Sequence, residues 1–430
     1  MSDSGKPDVH LNLNVRGLPL SATLAINELS NSLRQQGKKI YKLGLGQSPF
    51  PVPQSVVNEL KNNAHQKDYL PVRGLPALQD AVVEYYQKTQ GLNFQSKNIL
   101  IGPGSKELMF LIQLVYYGDL LIPTPSWVSY APQANIVGHK VQWLNTLEDN
   151  DWLLTPEELD AHCQSDPNKP RLIILNYPNN PTGGTYSVDQ LKSIAEVCRK
   201  YKIVMLSDEI YGETNFEGNH TSIAKFYPEG TVISSGLSKW CGAGGWRLGT
   251  FAFPESLEWL LNSMASVASE TFTSTSAPIQ YAAVRAFKLG IDIERYLWNS
   301  RKILRQLGGL IYRILTDAGV RVAEPKGGFY MFPDFESFRA SLKDKGISNS
   351  EQFCQRLLND TGVAILPGSS FGRPSDELTA RLSYVDFDGA RALSALETMP
   401  ADYEPDEEFI RQYCGENIKA MEKTVEWLNN

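Results

Sequence analysis

The stretch Ser234–Gly249 reads SSGLSKWCGAGGWRLG and follows a short apolar run, Thr231–Ile233. It carries one lysine, Lys239, and one arginine, Arg247, among serines and glycines. Short runs that are apolar on both faces are typical of strands buried inside a helix-covered sheet. Glycine-rich backbone at the end of such a strand allows a ligand to approach the chain closely. The stretch therefore predicts a ligand site at one edge of an α/β sheet.

Similar apolar runs alternate with helical patterns on either side of this stretch. The runs are Asn98–Ile101, Leu120–Ile122, Arg171–Leu175, Lys202–Leu206 and Leu248–Phe253. Between them, Thr155 with Glu158 and Ser187 with Gln190 have the spacing of capping boxes that begin helices. This alternation predicts an α/β layer structure in which a mostly parallel mixed sheet is covered by helices.

The same reading divides the chain into four parts. Residues 1–54 are predicted to form an N-terminal arm and part of a small domain, and residues 55–295 the large domain. Residues 296–400 alternate helix and strand more loosely, which predicts a smaller α+β domain. Residues 401–430 are predicted to form an acidic linker and a final amphipathic helix. Its apolar members would be Phe409, Ile410, Tyr413, Ile418, Met421 and Trp427.

Composition and charge exclude several classes of protein. The net charge of −7 over 430 residues argues against a general nucleic-acid binder. The five cysteines are scattered without a CxxC pair, and the five histidines lack metal-ligand spacing, so no metal site is predicted. Apolar runs of membrane-spanning length are absent from the sequence. We expect a reduced cytoplasmic protein without nucleic-acid or membrane partners.

Unusual polar clusters follow the apolar runs. They are Gly102–Lys106, Pro123–Trp127, Asn176–Gly183 and Ser207–Tyr211, together with the opening stretch. Ligands of α/β sheets bind beyond the carboxyl ends of the strands, where such loops converge. Each cluster also has a plainer interpretation. Ser105 would simply cap a helix, Asp208 a turn, Trp127 would be a core ring, and Asn180 a turn residue.

The two cations of the opening stretch favour the ligand interpretation. A partly desolvated lysine beside a second cation has a lowered pKa and becomes a nucleophile toward carbonyls. The guanidinium of Arg247 offers a fork for a phosphate dianion. An anion-binding helix start, a carboxylate, a flat aromatic ring, a lysine and an arginine together suit one ligand. That ligand is pyridoxal 5′-phosphate (PLP), an aldehyde-bearing pyridine phosphate.

The sequence resembles the fold type I PLP enzymes of the class I/II aminotransferase family, and most of all its bacterial aspartate-aminotransferase-type branch. The likeness runs from about Ser21 to Arg381. It rests on Ser21–Thr23 (SAT), Gly44–Phe50 (GLGQSPF), Tyr69 with Gly74, Pro178–Gly183 (PNNPTG), Ser207–Tyr211 (SDEIY), Ser238–Gly249 and Ala380–Tyr384 (ARLSY). The resemblance implies a large PLP-binding domain and a smaller α+β domain.

The resemblance also implies roles for single residues around the cofactor ring. Lys239 would carry PLP as a Schiff base and shuttle a proton. Asp208 would pair with the pyridinium nitrogen, and Trp127 would stack on the ring. Tyr211 and Asn180 would hydrogen-bond the phenolic oxygen. Lys239, Asp208 and Tyr211 are thus the expected catalytic residues.

The phosphate and the substrate would be held by a second group of residues. Ser105, Lys106, Ser238 and Arg247 would bind the phosphate, together with Tyr69 of a neighbouring subunit, which implies a homodimer with shared active sites. The substrate would be bound by Arg381, clamping its α-carboxylate, and by Gly46, Trp127 and Asn180.

Two positions depart from the family pattern. Many relatives carry serine as a phosphate ligand where this chain has Gly236, and Ser234 or Ser238 would have to replace it. Some dicarboxylate-using relatives carry a basic residue where this chain has Pro19. A second cation would then come from Arg16, Lys106 or Arg73, and the sequence does not choose among them. Side-chain selectivity would depend on the surroundings of Arg16, Arg73, Tyr130 and Phe371.

The predicted function is a PLP-dependent aminotransferase. It would move an amino group by a ping-pong mechanism between an L-amino acid and a 2-oxo acid, with aspartate/2-oxoglutarate or aromatic compounds as candidate substrates. The alternative is a PLP-dependent lyase or synthase of the same fold, such as a β-C–S lyase, because the same lysine, aspartate and arginine serve both. A PLP-sensing effector fused to a DNA-binding domain is disfavoured, since no basic helix-turn-helix-sized segment precedes residue 20.

Overall fold

The computed structural model describes residues 10–430. The helices of this part of the chain are α1 (Ala22–Gln35), α2 (Gln54–Asn63), α3 (Pro76–Gln90), α4 (Ser105–Val115), α5 (Tyr130–Val137), α6 (Pro156–Gln164), α7 (Val188–Lys200), α8 (Glu258–Glu270), α9 (Ala277–Phe287), α10 (Ile291–Asp317), α11 (Arg339–Asp344), α12 (Ser350–Thr361), α13 (Gly389–Glu397) and α14 (Glu407–Asn429). Among the described residues, no helix combines the length and the apolar character needed to cross a membrane.

The strands are short and fall into three sheets. They are β1 (Tyr41–Lys42), β2 (Ile99–Gly102), β3 (Asp119–Thr124), β4 (Val141–Asn145), β5 (Arg171–Asn176), β6 (Val204–Asp208), β7 (Thr231–Gly236), β8 (Gly249–Ala252), β9 (Tyr330–Met331), β10 (Val363–Ala364), β11 (Leu366–Pro367) and β12 (Ala380–Ser383).

The large sheet has seven strands in the order β2-β8-β7-β6-β5-β3-β4. Strand β8 runs antiparallel to both neighbours, and the other pairs are parallel. The mostly parallel mixed sheet expected from the sequence is therefore confirmed. Every apolar run that was interpreted as a strand overlaps one of β2, β3, β5, β6, β7 and β8.

Alternating side chains of the central strands explain why helices cover both faces. Leu172 and Ile174 of β5 belong to a buried apolar cluster with residues of α4 and α8. Ile173 and Leu175 belong to another cluster, with residues of α6 and α7. Because successive side chains of a strand point to opposite faces, a run apolar at every position needs cover on both. The capping boxes of α6 and α7 are confirmed, with Thr155 and Ser187 as N-caps.

The structure contains strand β4, which the sequence analysis did not predict. It pairs parallel to β3 at the edge of the sheet, and of its residues Leu144 alone is buried. An edge strand is covered by few neighbours and needs no continuous apolar run. The sequence Val141–Asn145 therefore lacks the pattern that reveals the central strands.

The remaining strands form two small sheets, and the C-terminal helices pack together. Strand β1 pairs parallel to β10, and β9, β12 and β11 form a small antiparallel sheet. The long helix α10 packs against α13 and α14. The final helix expected from the sequence is confirmed as α14, with Phe409, Ile410, Ile418 and Met421 buried. The boundaries of the four parts at residues 54, 295 and 400 stay a prediction.

Candidate active site

A cavity of about 300 Å³ opens at the carboxyl ends of the central strands. It brings together almost all the residues singled out from the sequence, namely Gly46, Ser105, Lys106, Trp127, Asn180, Asp208, Tyr211, Ser238, Lys239, Arg247 and Arg381. Tyr69 does not line it, and 89% of that residue is exposed in the single chain. We call this cavity the central pocket.

The sheet register explains why these side chains meet. Asp208 is the last residue of β6 and pairs with Asn176 of β5 on one side and with Ser234 of β7 on the other. Asn180 lies in the loop that follows β5, and Lys239 in the loop that follows β7. Parallel neighbours end at the same edge of a sheet, so their loops converge there.

Lys239 lies at the centre of the pocket. Its Nζ donates a hydrogen bond of 2.7 Å to the carbonyl oxygen of Gly46 and lies 5.5 Å from the ring centre of Tyr211. Burial, together with the nearby charge of Arg381, lowers the pKa of Lys239 to about 8, while Asp208 opposes the change. A larger neutral fraction at neutral pH makes this amine a better nucleophile and base.

Asp208 is a buried carboxylate whose hydrogen-bond donors are neutral groups. It is 3% exposed and accepts hydrogen bonds from the Tyr130 hydroxyl at 2.5 Å and the Ser234 hydroxyl at 3.3 Å. Burial raises its pKa to about 6, although these donors work against the change. Since the donors bring no charge, the carboxylate is suited to a cationic partner from a ligand.

The start of α4 forms a cationic corner of the pocket. Gly104, and not Ser105, occupies the cap position, with φ 95°, a conformation that favours glycine. The backbone N–H groups at a helix start attract an anion, and Lys106 and Arg247 add two charges there. Burial lowers the pKa of Lys106, and the charge of Arg247 lowers it further. A Cβ atom at Gly104 would collide with the Arg247 guanidinium.

Arg381 also lines the pocket and is 1% exposed. Its Nη1 donates to the side-chain oxygen of Asn180 at 3.2 Å, and Nη2 donates to the carbonyl of Gly44. Its Nε is buried without a hydrogen-bond partner within residues 10–430. A buried guanidinium with an unused donor is suited to a carboxylate.

Sterics explain the glycine at position 236, where a serine was considered from the sequence. Gly236 pairs with Gly249 across β7 and β8, and a Cβ atom at Gly236 would lie 2.6 Å from the carbonyl oxygen of Leu248. A serine does not fit there. Of the two candidate replacements, Ser234 donates a hydrogen bond to Asp208, whereas Ser238 lines the pocket.

The three candidates for a second cation are separated in the structure. Arg73 donates to the carbonyl of Lys97 at 2.9 Å and to the side chain of Asn262, outside the central pocket. Arg16 is exposed and also lies outside the lining. Lys106 lines the pocket, with Nζ 5.3 Å from the ring centre of Trp127.

The sequence analysis did not predict the contacts of two tyrosines of the site. The Tyr130 hydroxyl is the partner of Asp208, and the Tyr330 hydroxyl lies 2.8 Å from that of Tyr211. Tyr130 had been considered only for side-chain selectivity. Its place three residues after Trp127, at the start of α5, is the one signal that could have linked it to the site.

Comparison with known proteins gives the family. Residues 38–388 match the model of the family "aminotransferase class I and II", and the chain belongs to this family. It is 33% identical to the aspartate aminotransferase of Geobacillus stearothermophilus, over 89% of this chain and 95% of that one. It is 31% identical to the asparagine–oxo-acid transaminase of Streptococcus mutans, over 85% and 92% of the two chains.

Solved structures agree with the sequence comparison. The fold is similar to that of the Thermus thermophilus aspartate aminotransferase with maleate, with a TM-score of 0.83, 26% identity, and cover of 97% of this chain and 100% of that one. The aromatic aminotransferase of Pyrococcus horikoshii gives a TM-score of 0.76 at 28% identity, over 93% and 98%. The chain is therefore a transaminase of a PLP-dependent family, and the lyase alternative is not favoured.

Proposed function

We propose that the central pocket holds PLP on Lys239 and transfers an amino group between an L-amino acid and a 2-oxo acid. One observation carries the proposal. The Lys239 amine, the Asp208 carboxylate, the cationic start of α4 and the Arg381 guanidinium all line one cavity. These are the groups that an aldehyde, a pyridine nitrogen, a phosphate and a substrate carboxylate require.

The residues present fit this cofactor. Asp208, with neutral donors only, would accept the protonated ring nitrogen. Ser105, Lys106, Ser238 and Arg247 would hold the phosphate at the start of α4. Trp127 would cover one face of the ring, and Tyr211 with Asn180 would contact the phenolic oxygen. When bound, PLP supplies an electron sink for the electrons released at the substrate Cα.

The remaining chemistry belongs to the chain itself. Lys239, with its pKa lowered to about 8, would take the proton from the substrate Cα and pass it to the C4′ atom of the cofactor. The Gly46 carbonyl, 2.7 Å from Nζ, would hold the lysine while it carries that proton. Arg381 would bind the α-carboxylate through its unused donors, and this fixes the Cα–H bond near the base.

We further propose that the preferred substrates carry a second carboxylate. Lys106 is the candidate cation that lines the pocket, and its side chain lies over Trp127. The backbone N–H groups of the helix start would then serve the phosphate. Several relatives are named aspartate aminotransferases, which agrees with this assignment. Aromatic substrates are the second candidate, because one similar structure is an aromatic aminotransferase.

A homodimer is also part of the proposal. Tyr69 is expected to contact the phosphate, yet it lies outside the central pocket of its own chain and is 89% exposed. A second copy that brings its Tyr69 to this pocket would reconcile the expected contact with the observed exposure. Light scattering should give twice the mass of one chain, 48.0 kDa. A monomer with full activity would contradict this part of the proposal.

The test of function is a half-reaction screen. Purified protein loaded with PLP is mixed with one amino acid at a time, and the visible absorbance of the bound cofactor is followed. Loss of the band, and its return on adding a 2-oxo acid, are expected for the true substrates. Release of ammonia or sulfide with the band intact would instead indicate a lyase.

The assignment of Lys239 has a matched control. Lys239→Ala should abolish the band and the transfer while the far-ultraviolet circular dichroism stays native. Lys225 is exposed and lies outside the pocket, so Lys225→Ala should behave as the wild type. A Lys239→Ala protein that keeps both band and turnover would overturn the assignment.

A further inference from the structure

Tyr330 in β9 contacts two groups that the proposed mechanism needs, the Tyr211 hydroxyl and the Arg381 guanidinium. It is 1% exposed, and its hydroxyl lies 2.8 Å from the hydroxyl of Tyr211. The same hydroxyl lies 3.5 Å from the carbonyl oxygen of Gly46, which already accepts the Lys239 Nζ at 2.7 Å. Tyr330 therefore contacts groups around the amine as well as Tyr211.

The ring of Tyr330 serves a second neighbour. The guanidinium carbon of Arg381 lies 4.9 Å from the ring centre of Tyr330 and 5.0 Å from that of Phe371. A cation held at this distance from aromatic rings is stabilised electrostatically, and more so when it is desolvated. The two rings thus restrict where the guanidinium can lie.

The hydroxyl of Tyr330 has a single proton to donate. Its contact with Tyr211 is shorter than its contact with Gly46, whose oxygen is already occupied by Lys239. Either hydroxyl can donate across the 2.8 Å contact. When an oxygen of a bound ligand accepts the proton of Tyr211, the proton of Tyr330 is the one that joins the two hydroxyls. Burial raises the pKa of both tyrosines, so both remain donors at neutral pH.

We propose that Tyr330 is a positioning residue of the transfer reaction: its hydroxyl directs the Tyr211 proton into the pocket, and its ring holds the Arg381 guanidinium. The inference rests on the proposed function, in which Tyr211 donates to the phenolic oxygen of PLP. Accepting a hydrogen bond from Tyr330 makes Tyr211 a stronger donor to that oxygen.

Two measurements separate the hydroxyl from the ring. The first is the pH midpoint of the visible absorbance of bound PLP, taken without substrate. The second is the dissociation constant of maleate, an unreactive dicarboxylate whose binding should depend on Arg381 in the proposed function. Three variants are compared with the wild type: Tyr330→Phe, which loses the hydroxyl alone, Tyr330→Leu, which loses hydroxyl and ring, and Phe371→Leu, which removes the other ring over Arg381.

The hydroxyl is tested by the midpoint. A donor to the phenolic oxygen stabilises the form with fewer protons, so weakening Tyr211 should raise the midpoint. In Tyr330→Phe we expect a rise of about 0.5 pH unit or more, with maleate affinity within about twofold of the wild type. In Phe371→Leu the midpoint should stay as in the wild type. A wild-type midpoint in Tyr330→Phe would overturn the role of the hydroxyl.

The ring is tested by maleate. Tyr330→Leu and Phe371→Leu should each weaken maleate binding by about tenfold. Wild-type affinity in Tyr330→Leu would overturn the role of the ring. If Tyr330→Leu does not fold, Tyr330→Phe still tests the role of the hydroxyl. Phe371→Leu then tests whether an aromatic ring over Arg381 contributes to maleate binding. A wild-type protein without band or transfer would contradict the proposed function itself, which keeps the two failures apart.

Discussion

The carbonyl oxygen of Leu248 lies 2.6 Å from the position that a Cβ atom would occupy at Gly236. Strands β7 and β8 therefore approach too closely at this point for any side chain. The packing of the sheet excludes a serine at this position. Ser238, two residues further on, lines the pocket and is the serine that the proposed function places at the phosphate.

Substitution at this glycine should damage the protein before it affects chemistry. Gly236→Ser forces β7 and β8 apart, and we expect a loss of about 1–3 kcal/mol in the free energy of unfolding. Gly245 lies in the loop between β7 and β8 with no neighbouring atom within 4 Å of a Cβ, so Gly245→Ala is the control and should be neutral. Denaturant unfolding of both variants checks this. Equal stability of Gly236→Ser and wild type would show that the strands can separate without cost.

Removing the charge of Lys239 should stabilise the cofactor-free protein. Burial lowers the pKa of this lysine from 10.5 to about 8, so the unfolded chain binds more protons than the folded chain between these values. Stability from this group therefore rises with pH across that window and is lowest below it. At pH 7 we expect Lys239→Met to gain about 1–3 kcal/mol in the cofactor-free state.

Asp208 should change the free energy of unfolding at lower pH and with the opposite sign. Its pKa is raised from 3.8 to about 6, so the folded chain binds more protons between these values, and stability falls as pH rises through them. Unfolding curves of the cofactor-free wild type and of Lys239→Met at several pH values test both signs. Lys225→Met, at an exposed position, should follow the wild type. A Lys239→Met protein less stable than the wild type at pH 7 would refute the argument.

Tyr130 should lower the pKa of Asp208 in the cofactor-free protein. Its hydroxyl donates to the Asp208 carboxylate at 2.5 Å and so opposes the rise in the pKa of that carboxyl caused by burial. In cofactor-free Tyr130→Phe the pKa of Asp208 should rise by about one unit, so the pH window in which the free energy of unfolding falls should extend about one pH unit higher. Tyr117, which is 88% exposed, gives the control Tyr117→Phe. Unfolding curves at several pH values check this, and an unchanged window in Tyr130→Phe would show that the Tyr130 hydroxyl does not set the pKa of Asp208.

Lys106 should decide the substrate class. If its side chain binds a second carboxylate, Lys106→Gln loses a charge-assisted hydrogen bond, worth roughly 1.5–3 kcal/mol. The expected result is a fall of about tenfold or more in kcat/KM for aspartate relative to phenylalanine. Arg73→Gln alters the cation that lies outside the pocket and should leave this ratio unchanged. The opposite pattern would transfer the assignment from Lys106 to Arg73.

The central strands and the loops after them were predictable because burial on both faces leaves a mark in the sequence. Strand β5 is buried at all of its positions, and its run Arg171–Leu175 shows this. Strand β4 at the sheet edge has no such run. Polar residues after the central strands could be assigned to one pocket because parallel strands end together.

Contacts between distant parts of the chain could not be predicted in this way. Tyr130 lies 78 residues before Asp208, and Tyr330 lies 119 residues after Tyr211. Neither pair has a local spacing that a sequence pattern could reveal. The same holds for Gly236, since the obstacle to a side chain is the carbonyl of Leu248 on the neighbouring strand. The role of Tyr69 stays a prediction until the assembly is measured.

The pairing of β1 with β10 sets an order of events during synthesis. Tyr41 lies opposite Val363, so the first strand leaves the ribosome more than 300 residues before its partner exists. At about 5–20 residues per second, that interval lasts on the order of tens of seconds. Meanwhile the central strands of the large sheet are already complete. A newborn chain must therefore keep Ile40–Leu43 unpaired while the middle folds, whereas a chain diluted from denaturant has both strands from the start. Vectorial synthesis and refolding should consequently differ in how much misassembled product they yield.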